Sequence, residues 1–153
     1  MEKFAFVLHP LSLEDMQMVS PVVRFVPDFL LEHILQKKKP FTVSHITGVK
    51  SPYAEAEGWF VGCPLTAKQM VELPEEFVID RIVETGKIAE ELGAKILGLG
   101  AFTSIVGDAG VTIAERLHIA VTSGNSYTVA TALEGTREAA RLWAIQARIP
   151  SPN

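Results

Sequence analysis

A single cysteine, Cys63, stands among the 153 residues of the chain. One thiol excludes an internal disulfide and fits a reducing compartment, so a cytoplasmic protein is expected. Basic charge is also scarce: 14 Lys and Arg against 18 Asp and Glu leave a net charge of -4. With no basic face to neutralise phosphates, nucleic acid is not an expected partner. The one dense basic spot, Lys37-Lys38-Lys39, reads as a solvated turn between a helix and a strand. Long apolar runs are missing too. Residues 4–8 are too few for a signal-peptide core. The uncharged run 96–107 is broken by glycines and falls short of the roughly 20 residues that span a bilayer, so no integral membrane segment is expected. His9, His33, His45 and His118 are scattered, without the spacing of metal sites. No Walker-type phosphate loop occurs.

The residues that are present describe one α/β domain over residues 1–148. The apolar fraction of 48% is enough for a core. Residues 4–8 read as the first strand. Ser12 and Asp15 resemble a capping box for a helix over 13–19. Pro21 and Pro27 interrupt the stretch after it, and Asp28 is placed to cap a helix over 29–36. Residues 41–47 and 59–63 look like the arms of an antiparallel edge hairpin, joined by a turn within 48–58. Residues 66–71 suit a helical turn. Pro74-Glu75-Glu76 starts a helix whose stripe Val78, Ile82, Thr85, Ala89 and Leu92 has helical spacing, with Gly93 as its stop. A strand over 95–100, a helix over 109–117 and a strand over 119–122 come next. The last helix begins near Asn125 or Ser126, with Val129, Leu133, Thr136, Ala140 and Trp143 as its inward row. The expected architecture is a three-layer αβα domain with a mostly parallel sheet and an antiparallel edge hairpin. Ile149-Pro-Ser-Pro-Asn153 reads as a linker or as the truncated start of a following Rossmann domain.

Open parallel sheets bind ligands at the carboxyl ends of their strands. Two loops rich in hydroxyls and glycine fall there. Phe102, Thr103 and Ser104 follow one strand, and Thr122, Ser123, Gly124, Asn125 and Thr128 follow the next. His9, after the first strand, can join them. Short hydroxyl and amide side chains with glycines suit an uncharged or thioester carbonyl, although the same residues serve equally well as helix caps. Gly98-x-Gly100 invites a dinucleotide reading. Thr103 stands where the third glycine belongs, and Thr122 and Ser123 occupy the place of the ribose-binding acid, so no cofactor site is expected in this chain. Cys63 is a nucleophile if folding brings a basic group to it, and otherwise a buried structural residue.

Four strings carry a family likeness: Leu8-His9-Pro10-Leu11-Ser12-Leu13-Glu14, Gly58-Trp-Phe-Val-Gly-Cys63, Leu99-Gly-Ala-Phe-Thr-Ser-Ile105 and Thr122-Ser-Gly-Asn-Ser-Tyr-Thr128. In this order the chain resembles the N-terminal domain of the aldehyde-forming long-chain acyl-[acyl-carrier-protein] reductases, and in layout the substrate domains of shikimate and amino-acid dehydrogenases. The resemblance implies an acyl-thioester-binding domain of an NADPH-dependent oxidoreductase. NADPH would sit on a missing domain, acyl carrier protein would be a partner, and this chain alone would be inactive. Phe102 would pack on the acyl chain and the hydroxyls would hold the thioester. The alternative from a different class is a stand-alone, non-catalytic module that binds a small ligand or a protein, as a homo-oligomer.

Overall fold

A computed structural model describes residues 1–19 and 21–142. Among the described residues are five strands: β1 (Glu2–Leu8), β2 (Phe41–Lys50), β3 (Glu55–Gly62), β4 (Ile96–Gly98) and β5 (Ala120–Thr122). The helices are α1 (Leu13–Val19), α2 (Asp28–Lys37), α3 (Ala67–Glu72), α4 (Glu75–Glu91), α5 (Val111–Glu115) and α6 (Asn125–Leu142). Two 3-10 turns, Pro21–Phe25 and Ala101–Ser104, complete the set. The strands form one sheet in the order β2-β3-β1-β4-β5. β1 runs parallel to β3 and β4, and β4 parallel to β5, while β2 closes one edge antiparallel to β3. The α/β class, the mostly parallel sheet and the antiparallel hairpin are therefore as expected, with helices flanking the sheet.

The described contacts divide the chain into two compact units, Met1–Ser123 and Gly124–Asn153. The core belongs to the first. Side chains alternate across a strand, so Ala5 and Val7 of β1 share a face with Val61 and Leu97. Val78, Ile82, Val83 and Ala89 of α4 close onto that face, together with Leu65, Leu99, Ile113 and Leu117. The α4 stripe is buried as expected, Thr85 included, and Leu92 packs half-buried at its end. Gly93 takes φ +81°, the left-handed stop that glycine adopts without steric cost.

The opposite face of the sheet carries Phe4, Phe6 and Leu8. An added Cβ at Gly58 would lie 2.6 Å from the Phe4 ring, and one at Gly98 would lie 2.5 Å from that of Phe6. At Gly100 the distance to the same Phe6 ring would be 2.7 Å. The Gly98-x-Gly100 pair thus has a structural cause: it leaves room for one aromatic ring from the neighbouring strand.

Several local expectations need correction. Asp28 does not cap α2; Pro27 occupies the N-cap and no side chain bonds there. Pro74 likewise sits at the N-cap of α4, one place before the first helical position. The hairpin arms are longer than expected because its turn is tight: Ser51 receives the N–H groups of Tyr53 and Ala54 on its hydroxyl, and its own N–H donates to Ala54 O at 2.8 Å. The second unit, described by itself, is α6. Val129 and Leu133 of the expected inward row are 59% and 58% exposed, and Ala140 is half-buried. Trp143 and the expected linker at residues 149–153 lie outside the described residues.

Candidate functional site

β1 leads on toward β3 at one side of the sheet, whereas β4 leads on toward β5 at the other. Loops that part in this way leave a crevice at the carboxyl ends of the strands. His9 and the turn Ala101–Ser104 meet there. The His9 ring lies edge-on to Phe102 with centroids 6.1 Å apart, and Phe102 N–H donates to His9 Nε2 at 3.3 Å. The expected union of His9 with the loop after β4 is present.

The hydroxyls of that loop are engaged elsewhere. Thr103 is fully buried; its Oγ1 accepts the Gly100 N–H at 3.0 Å and donates to Gly100 O at 2.7 Å. The Ser104 hydroxyl donates to Ala101 O at 2.7 Å. These bonds close the turn on itself and hold Ala101 at φ 47°, a left-handed conformation unfavourable for a residue with a Cβ. Thr103 therefore maintains the turn's shape and presents no group to a ligand. Phe102 is half-buried against the core, and lines a groove with Met70, Leu73, Ile105 and Val106. Thr122 and Ser123 reach the same rim, since β5 lies beside β4 and Leu99 N–H donates to Thr122 O at 2.8 Å. Gly124, Asn125 and Thr128 belong to the second unit, where Thr128 donates its hydroxyl to Gly124 O at 3.2 Å.

The cavity that sequence reasoning missed lies at the ends of β1 and β3. A cleft of about 300 Å³ is lined by Leu8, His9, Pro10, Met16, Phe41, Val43, Gly62, Cys63 and Pro64, with Asp15 and Lys38 as its charged members. Its walls are almost wholly apolar. The Asp15 carboxylate is engaged: Oδ2 accepts the N–H of Leu11 at 2.8 Å and of Ser12 at 3.1 Å, the reach-back half of the expected capping box. Lys38 ends α2, its N–H satisfying Ile34 O and Leu35 O, and its Nζ sits 4.3 Å from the centroid of the Phe41 ring. An ammonium over an aromatic face is attracted by the ring quadrupole. The middle lysine of the basic run thus faces the cleft, which the reading of a merely solvated turn did not anticipate.

Cys63 is buried, and burial pushes its thiol up to about 11, against smaller opposing effects of the Leu65 backbone, the Thr85 hydroxyl and Arg81. A thiol held protonated is a poor nucleophile. Burial and the raised thiol agree with the structural reading of Cys63. Among the described residues no group of three His, Cys, Asp or Glu is placed to hold a metal ion, and no helix is long and apolar enough to cross a membrane.

No protein-family model matches the chain. It is similar to "Aminotransferase PigE" of Serratia sp. (strain ATCC 39006), at 33% identity over 135 residues. The match covers 82% of this chain and 16% of that protein, so the chain spans a small part of its relative's length. This finding overturns the expected function. Amino transfer and hydride reduction are different enzyme classes, so a substrate domain of an NADPH-dependent acyl-thioester reductase is not what the similarity supports. The spent hydroxyls of Thr103 and Ser104 agree with the correction: they have no hydrogen left for a thioester carbonyl.

Proposed function

We propose that this chain is a ligand-binding domain of a larger amino-group-transferring enzyme, and that it holds a compact, mostly apolar molecule in the cleft at the ends of β1 and β3. The cleft carries the reading. Its volume is at the lower end of the roughly 300–1,000 Å³ of small-molecule sites, and its apolar walls with few polar members are typical of them. The relative's name supports the enzyme class, and the small share of it that this chain matches supports a part rather than the whole. Pyridoxal-dependent transfer needs a lysine for a Schiff base with a partner for the pyridine nitrogen. No lysine of this chain is buried, and Lys3, Lys50, Lys68 and Lys95 are paired with glutamates. The domain is given a binding role, with Lys38 of the cleft resting on the Phe41 ring.

Titrating the chain with indole and cyclohexanol, read by amide NMR, tests this. Shifts should cluster at Leu8, His9, Phe41, Val43 and Gly62, and Val43→Trp, which fills the cleft, should abolish them while the remaining spectrum stays native. Shifts scattered elsewhere, or binding that survives Val43→Trp, would remove the reading.

A further inference from the structure

We infer that His9 is a proton-sensitive tie, which fastens the turn Ala101–Ser104 to the end of β1 only while its ring is neutral. Both ring nitrogens have partners whose hydrogen-bonding character is fixed. Nδ1 lies 3.0 Å from Pro10 O, which can only accept, so Nδ1 carries the hydrogen. Nε2 lies 3.3 Å from the Phe102 N–H, which can only donate, so Nε2 must offer a lone pair. One neutral tautomer satisfies both. A second proton on the ring would occupy Nε2 and set N–H against N–H, and the tie would open.

The remaining bonds of the turn cannot replace this one. Thr103 bonds Gly100, Ser104 bonds Ala101, and Ile105 N–H donates to Phe102 O; all are internal to the segment after β4. They shape the turn without tying it to β1. The turn also stores strain at Ala101, where φ is 47°. Packing also holds the turn, with Thr103 buried and Phe102 and Val106 against the core, so the bond to His9 is the titratable part of its attachment to the end of β1. The charged and titratable groups that share the cleft with His9 are Asp15 from α1, Lys38 from the end of α2 and Cys63 after β3; the Ala101–Ser104 turn contributes none. Asp15 is held by the N–H groups of Leu11 and Ser12, Lys38 rests on Phe41, and Cys63 stays protonated, so none competes for Nε2.

Protonation of Nε2 removes the tie, so it is present while the ring is neutral and lost when acid protonates the ring. The test is ¹⁵N NMR of the intact chain across the titration of His9, with amide exchange of Phe102 followed at each pH. At neutral pH the His9 ring should show Nδ1–H with an unprotonated Nε2. The protection factor of the Phe102 amide, corrected for intrinsic rates, should fall about fivefold as the His9 resonance titrates, the loss of one ordinary hydrogen bond. His9→Phe keeps the edge contact without Nε2, and should show the lower protection at every pH. An Nε2–H tautomer, or Phe102 protection that stays constant while His9 titrates, would overturn the proposal. The wild-type titration decides the matter even if His9→Phe does not fold.

Discussion

Two side chains sealed from solvent show how burial acts on single residues. The Cys63 thiol has its pKa raised from 9.0 to about 11, with desolvation as the leading cause. The folded state therefore holds this proton more tightly than the unfolded chain does. The stability linked to it is complete below pH 9 and lost as pH rises through 11. Two pKa units correspond to about 3 kcal/mol. Lysines and tyrosines ionise in the same range, but their effect cancels in a comparison with Cys63→Ala. Urea unfolding from about pH 8 to about pH 11, where half of the folded chains have lost the proton, should show the native chain losing about 2 kcal/mol more than this variant; equal losses would mean that the thiol is accessible to water. At Thr103 burial acts differently. Its hydroxyl engages both Gly100 N–H and Gly100 O, so the residue that most resembles a ligand donor in the sequence is a structural clamp.

At the scale of elements, β1 and β4 are matched ring to glycine. Phe6 lies across Gly98 and Gly100, and a methyl at Gly98 would meet its ring at 2.5 Å. Gly98→Ala should cost about 1–3 kcal/mol, as overpacking does. In a Phe6→Ala background the same substitution should cost little or nothing, so the double-mutant cycle in urea unfolding should give a coupling of comparable size. Independent, additive effects would show that the glycine serves some other need. This match explains what the sequence alone could and could not reveal. The α4 stripe, the Gly93 stop and the hairpin are local patterns, readable from spacing and turn residues, and they are found. Gly98-x-Gly100 is also visible, but its reason lies in Phe6, on a strand near the other end of the sequence. Pairing of β1 with both β3 and β4 brings Leu8 beside Gly62 and Phe6 beside Gly98. No local periodicity encodes that adjacency. The cleft was missed for the same reason, since Leu8, Met16, Phe41 and Gly62 come from separate segments.

For the molecule as a whole, the question is which part carries its own stability. The connected apolar core runs from Ala5 to Leu117, with Ile119 and Val121 packed against it, and every member belongs to Met1–Ser123. All five strands, both 3-10 turns and the cleft fall within the same unit. A segment of this size with a single core is long enough to fold alone. The sheet face bearing Phe6 and Leu8, each more than a third exposed, makes no part of that core. A chain ending at Ser123 should therefore unfold cooperatively in urea, keep its buried Cys63 unreactive toward thiol reagents at mildly alkaline pH, and retain the indole shifts at Phe41 and Val43. Its midpoint should lie close to that of the intact chain. A broad, non-cooperative transition with a reactive thiol would show that the second unit is required to complete the fold. If the fold survives but the indole shifts vanish, the reading of the cleft as a site complete within Met1–Ser123 is wrong.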